Sequence, residues 1–288
     1  MASGVFALWF AADGLAVWCF ALTLSPTISV LTIGQTSLFI VFLLVLSAAC
    51  LERGHVVGSG LTLALAAMKP QLAAPYVLFL LTRGELAVLA LGAMGNAALT
   101  GLGLYASGVR LDAYRDAAAR WSANNPAAGH INVGIANLLA HFTSLDIGGV
   151  TAIGVLIGVA LVAALAFGRG AGGDHWRLPD VLPVVLFAAP LGFRCNAYDM
   201  VALIPLFAWA RARGTPKALG RAIQALCLVL IVPRAALHLA YEKVAAGLVP
   251  YETYYTGETT FRSVVLVLLL PLVLMAWRAR IFSGRRAA

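Results

Sequence analysis

Charge is scarce in this sequence. Charged residues make up 11% of its 288 residues, against about 25% in a soluble domain. A water-soluble globule of this length is excluded, because 61% of the residues are hydrophobic. The period-two alternation of a membrane barrel is also missing, and the apolar runs are of helical length. Cysteine is sparse, with four residues, no CxxC and no metal-ligand spacing. The cysteines therefore read as small apolar residues, and no metal or other cofactor is expected. There is no HExxH, GxSxG or P-loop, which excludes the enzyme classes that carry those signatures. The net charge of +8 sits mostly in short loops. No basic stripe interleaved with exposed aromatics accompanies it, so nucleic acid is excluded as a partner. The N-terminus has neither a basic n-region nor a cleavage site, and its apolar run reads as a retained span. No internal repeat or low-complexity segment divides the chain. Residues 1–288 read as a single transmembrane domain.

What is present is a series of ten apolar segments. They cover roughly 4–24, 36–51, 55–69, 71–82, 85–107, 148–168, 180–193, 197–211, 221–240 and 262–279. The fold class is all-α: a polytopic helical membrane protein with about ten transmembrane or half-spanning helices. Several segments fall short of the ~20 residues of a full span. Two pairs are broken, near "MKPQ" and "FRCN". Such interruptions are tolerated where helix ends line a protein cavity. Arg53, Arg83, Arg169, Arg177, the cluster "RARGTPKALGR" and the tail "RARIFSGRR" fall on one side when the segments alternate. By the positive-inside rule that side is cytoplasmic, and both termini lie there. The expected location is the plasma (inner) membrane of a bacterium, with membrane lipids around the helices. The opposite side receives residues 25–35, the "KPQ" break, a loop near 108–147, the "FRCNAYD" corner and residues 241–261. Within that long loop, "RLDAYRDAAARW" reads as a short helix lying in the membrane interface.

The unusual polar residues collect on this outer face. From Gly34-Gln35 to Lys69-Pro70 is 35 residues, the length of two short helices and a tight turn. Gln35 and Lys69 are therefore expected at similar depth. Lys69 sits where one helix ends and proline begins the next, which explains how a cation is tolerated there. Arg194, in the corner, and Arg234, four residues before His238 on one helical face, fall at the same level. A cluster of Lys69, Arg194 and Arg234 would suit a phosphate whose lipid tail stays in the bilayer. The alternative for each cation is snorkelling or pairing with a carboxylate. Sugar transfer also needs a base for the acceptor hydroxyl. Among the outer acids Asp112, Asp116, Asp146, Asp199, Glu242, Glu252 and Glu258, Asp199 is the most enclosed. It is the candidate catalytic residue. Asp13, inside the first segment, has no evident partner. Gly154 and Gly158 read as helix packing.

The block from "SPTISVLTIGQ" through "LERGH" to "AAMKPQ" resembles the central signature of glycosyltransferase family 87. The matching positions are Gly34, Gln35, Arg53, Gly54, Gly60, Lys69, Pro70 and Gln71. "AGHINVGIANLL", with Asn132, and "APLGFRCNAYDMVALIP", with Tyr198, are similar to later parts of the family pattern. The resemblance covers most of the chain from about residue 22 onward. It implies a GT-C type membrane hexosyltransferase. Such an enzyme takes a sugar, mannose in this class, from a polyprenyl-phosphate sugar donor and passes it to a lipid or glycan acceptor on the extracytoplasmic side. No nucleotide sugar is needed. The implied substrate-binding residues are Gln35, Lys69, Asn132, Arg194, Tyr198, Arg234 and His238.

The chain departs from the family in one respect. Members carry further spans before this block and an acidic residue in the first outer loop, whereas residues 25–35 contain no Asp or Glu. Three explanations arise: an N-terminal truncation that leaves the C-terminal part of a GT-C-like fold, substitution by a later acid such as Asp199, or a chain inactive on its own. Truncation is the expectation. Two further classes are a transporter or lipid flippase, which should show paired repeats, and a catalytically inactive membrane subunit.

Overall fold

The computed structural model describes residues 36–123, 132–167, 178–193, 195–211, 215–231, 241–242 and 248–284. The expected first span (4–24) and Asp13 lie outside them. The described helices are α1 (Ser37–Glu52), α2 (Val56–Ala66), α3 (Pro70–Thr82), α4 (Leu86–Ser107), α5 (Leu111–Ala123), α6 (Ile135–Phe142), α7 (Ile147–Phe167), α8 (Leu178–Gly192), α9 (Ile204–Trp209), α10 (Lys217–Ile231) and α11 (Tyr251–Gly284). A 3₁₀ turn, Ala197–Leu203, leads into α9. The only strands among the described residues are β1 (Asn132–Val133) and β2 (Cys195–Asn196), which pair antiparallel.

Every expected segment that falls on described residues contains helix there, although 55–69 is helical only to Ala66. Helices and membrane crossings are different counts, however. Among the described residues, three helices are long and apolar enough to cross a membrane: Leu86–Ser107, Gly148–Phe167 and Thr253–Arg280. The shorter apolar ones are Ser37–Glu52, Val56–Ala66, Pro70–Thr82, Asp180–Gly192 and Asp199–Trp209. At 1.5 Å per residue, α4 extends roughly 33 Å and α2 only roughly 16 Å. Against the expected ten or so transmembrane or half-spanning helices, the described residues supply these three long apolar helices and five shorter ones.

Two turns of the same design join the first four helices. Gly54 (φ +76°) and Gly84 (φ +73°) adopt the left-handed conformation that an L side chain resists. His55 N–H reaches back to the Cys50 carbonyl and Glu85 N–H to the Leu80 carbonyl, each closing a helix C-terminus. Neither glycine has a heavy atom within 4 Å of its would-be Cβ, so backbone conformation rather than space selects it.

The core centres on α8. Its residues from Val181 through Leu191 are buried on all sides. A helix apolar all round belongs in the middle of a bundle. α7 packs on it at glycine: an added Cβ at Gly154 would lie 2.8 Å from the Gly192 carbonyl oxygen, and one at Gly158 2.8 Å from the Phe193 ring. The Gly154/Gly158 pair expected to pack helices does so here. α2 and α4 approach as closely, since a Cβ at Gly60 would stand 2.4 Å from Leu91 Cβ.

Hydrogen bonds between distant segments sort the helix ends into two sets. At one end Leu178 N–H donates to Glu52 Oε1 (2.9 Å), and Trp209 Nε1 donates to the Asp180 carbonyl (3.0 Å). Arg280 closes the same end. It donates to Thr215 Oγ1 (2.8 Å) and the Trp209 carbonyl (2.7 Å) and lies 4.2 Å above the Trp209 ring. At the other end lie Ser37, Lys69, β1, β2 and Asp199.

That second end is recessed. Asn96, midway along α4, donates to the carbonyl of Ala64 near the top of α2 (3.1 Å). Residues 97–107 of α4 run roughly 16 Å beyond that contact, and all of them except Leu104 are exposed. The short helices thus form a floor beside a taller apolar wall. Leu102 (64% exposed) and Met94 (70%) face outward on that wall, as lipid-facing side chains do. Substituting Gly60 by Val should force α2 from α4 and cost about 1–3 kcal/mol, read as a lower melting temperature in detergent. Gly101→Ala, with nothing within 4 Å of its Cβ, should leave the melting temperature unchanged or slightly higher. Equal losses in both variants would refute the close α2–α4 approach.

Candidate active site on the recessed floor

Lys69 occupies the break between α2 and α3. α2 ends at Ala66, and the N–H groups of Met68 and Lys69 bond to the carbonyls of Leu65 and Ala66 (3.2 and 3.1 Å). Pro70 then opens α3, so Lys69 takes the extended conformation (φ −123°, ψ 80°) that a residue before proline prefers. Its side chain turns inward and is 8% exposed with its residue. The ammonium lies 2.5 Å from Asp199 Oδ1 and donates to Ser37 Oγ. Ser37 Oγ in turn donates to the same Asp199 oxygen at 2.7 Å. Three elements distant in sequence therefore converge on one carboxylate oxygen.

The other oxygen of Asp199 is held locally. Oδ2 accepts the Asn196 N–H at 3.0 Å, and Asn196 caps the 3₁₀ turn in a reciprocal capping box with Asp199. Asp199 and Ser37 are fully buried. An unpaired carboxylate is costly in such surroundings. Removing one member of a buried ion pair costs about 3–5 kcal/mol, because the other charge is left uncompensated.

Asn132 lies on the same floor. The β1–β2 ladder sets Asn132 opposite Asn196 and Val133 opposite Cys195. Gly134 follows with φ +101°, and a Cβ there would stand 2.4 Å from the Pro190 carbonyl oxygen. Only glycine fits. Ser263 of α11 pins this corner: its hydroxyl accepts from Gly134 N–H (3.0 Å) and Asn137 Nδ2 (3.1 Å) and donates to the Thr259 carbonyl (2.7 Å). One residue back, the buried Arg262 pairs with Glu258 at 2.8 Å and donates to the Leu230 carbonyl (2.8 Å), tying α11 to α10.

The structure thus brings Lys69, Asp199 and Asn132 to one region. Gln35, Arg194, Arg234 and His238 lie outside the described residues, as does the side chain of Tyr198, whose backbone follows β2 directly. Sequence reasoning missed Ser37, Ser263 and Arg262. For Arg262 a signal existed, the i,i+4 spacing from Glu258. For Ser37 and Ser263, single serines in apolar helices, there was none. The other outer acids sit elsewhere: Asp112 pairs with Arg110 on the exposed α5 (2.8 Å), and Asp146 accepts the Gly149 N–H at the start of α7 (3.1 Å). Among the described residues, no group of three or more His, Cys, Asp or Glu is gathered to hold a metal.

Cys195, beside this cluster in β2, is wholly buried. Burial pushes its thiol well above the usual range, the Asp199 carboxylate adds to the rise, and the Lys69 ammonium opposes it. The thiolate is the reactive form. Cys195 should therefore resist maleimide at pH 8 in the native protein and react once the chain is unfolded in dodecyl sulfate. Rapid native labelling mapped to Cys195 would contradict the packing of the β1–β2 corner.

The chain matches the family model described as glycosyltransferase family 87 over residues 2–233. No curated protein and no solved structure matches it. The family match spans α1 through α10 and takes in the Lys69, Asn132 and Asp199 positions. With its apolar helical bundle, the chain belongs to glycosyltransferase family 87, a family of membrane glycosyltransferases.

Proposed function

We propose that this chain transfers a hexose, with mannose the sugar expected, from a polyprenyl-phosphate donor to a lipid or glycan acceptor on the extracytoplasmic side of a bacterial inner membrane. The observation that carries this reading is the recessed floor. Lys69, a buried ammonium, lies at the end of the bundle beyond which residues 97–107 of the apolar α4 continue, past the Asn96–Ala64 contact. That pairing of features suits an amphiphile whose phosphate meets a cation while its hydrocarbon tail stays in the bilayer. On the sequence alone, Gln35, Asn132, Arg194, Tyr198, Arg234 and His238 are assigned to substrate binding as well.

Transfer follows from these roles. The acceptor hydroxyl attacks the anomeric carbon of the sugar. The bond from that carbon to the phosphate oxygen breaks, and its electron pair goes to the phosphate, whose charge Lys69 balances. The hydroxyl proton passes to a carboxylate, and Asp199 is the candidate. The reaction needs no nucleotide and no redox partner.

A purely structural role for the Lys69–Asp199 pair is the competing reading, and a buried pair can be exchanged for apolar residues without loss of stability. Lys69→Ala is expected to abolish sugar transfer while the chain still inserts. Lys69→Met combined with Asp199→Leu should retain the melting temperature and still transfer no sugar from a polyprenyl-phosphate donor. A double variant that folds and transfers at the parent rate would reduce the pair to a structural tie. Orientation is checked separately: a cysteine placed at Asp112 should be labelled from outside the cell and one at Lys217 from inside. The reverse pattern would place the floor on the cytoplasmic side.

A further inference from the structure

Lys69 already has a counter-ion, so a donor phosphate must compete for it. Two features of the pair bear on how that competition runs. First, Asp199 uses its two oxygens differently. Oδ1 takes both the ammonium and the Ser37 hydroxyl, while Oδ2 is fixed by the Asn196 N–H of its own capping box. Losing Lys69 would leave the carboxylate in place, held through Oδ2 and Ser37. Second, Lys69 is the long, flexible member of the pair, a point charge on a four-carbon stem at a helix break. The carboxylate is fixed through its own cap, and the lysine, held by Asp199 and Ser37, is the member whose stem carries the rotatable bonds.

We propose that donor binding is an ion-pair exchange: the donor's phosphate takes the Lys69 ammonium from Asp199, and the exchange frees a lone pair on Oδ1 to receive the acceptor's proton. This rests on the function proposed above. In the resting protein the carboxylate is masked by its own lysine, so the base is uncovered only when a phosphate is present to take its place. Asp199 thus acts as an internal competitor of the substrate. Ser37, which accepts from Lys69 and donates to Asp199, is the positioning residue that keeps the resting pair closed.

The sign of one substitution separates this from ordinary binding. Replacing Asp199 by the isosteric Asn removes the competitor and leaves Lys69 free to meet the phosphate. If the pair opens roughly one time in ten or less, apparent affinity rises about tenfold or more on its removal. The experiment is equilibrium binding of undecaprenyl phosphate to the purified full chain in detergent, with melting temperature as a check on folding. Asp199→Asn should bind it about tenfold or more tightly while transferring no sugar. Ser37→Ala, which keeps both charges and loosens the closed pair, should bind more tightly by a smaller factor; it decides the question if Asp199→Asn fails to fold. Inorganic phosphate is titrated in parallel. Tightening with both probes assigns the competition to the phosphate group alone, and tightening with the lipid only adds the tail as a requirement. Either outcome supports the exchange. Unchanged or weaker binding in both variants overturns it. Lys69→Met keeps the two proposals distinct. If it binds as the parent does, the phosphate contact of the proposed function falls as well. If it loses affinity while neither other variant gains, only the exchange is lost.

Discussion

A positive charge inside an apolar bundle needs a counter-charge, and the architecture around Lys69 is arranged to supply one. The cost of a bare ammonium in hydrocarbon is several kcal/mol by insertion scales, comparable to the whole stability of many domains. Asp199 and Ser37 meet that demand from elements far away in the chain; Ser37 and Asp199 are 162 residues apart. For this meeting to occur, α1 must begin, α2 must end and the 3₁₀ turn must start at one level. The helix lengths follow from that requirement. α2 stops after 11 residues because Lys69 has to emerge at the floor, not at the membrane surface.

The second constraint is closeness. Short helices present little area, so they are held by near-contact of backbones. Glycine does this at Gly60 against α4 and at Gly154 and Gly158 against Gly192 of α8. At Gly134 the backbone passes so near Pro190 and Leu191 that a side chain has no room, and this passage carries Asn132 to its place opposite Asn196. Packing without side chains lets polar loops penetrate an apolar bundle while Val181–Leu191 of α8 stay buried. At the opposite end Arg280 and Trp209 fasten α11 to α9, so the floor is built on a closed base.

Much of the helical layout was legible because lipid and core impose the same requirement: long runs of apolar residues. The boundaries at 36–51, 71–82 and 85–107 read from composition lie within a residue or two of α1, α3 and α4. Which helices cross and which stop halfway was less legible, because hydropathy is the same in a lipid-facing and a protein-buried helix. α8 and α4 illustrate it: one is buried from Val181 through Leu191 and the other exposes most of its surface, yet both are apolar runs. The family itself was legible in the spacing of Gly34-Gln35 to Lys69-Pro70. Lys69 stood out because a cation interrupts a greasy segment. Its partner did not, since Asp199 at a helix start is ordinary capping when read locally, and the capping box is indeed present. Ser37 carried no signal at all. A serine at the head of an apolar helix is commonplace, and only the fold reveals which hydroxyl bridges two charges.

That Asp199 answers both to its own helix and to Lys69 bears on the kind of site this is. A residue with only a capping role would accept N–H groups and leave no reason for a lysine nearby. A residue with only a catalytic role would gain from solvent or substrate access, which its complete burial denies in the resting state. The observed geometry combines a carboxylate fixed by its own cap with a lysine that reaches it from a helix break. In a low-dielectric setting the cation needs an anion beside it. Under the exchange proposed above, the ion pair that lets the bundle hold a charge is also the contact that an incoming phosphate has to displace.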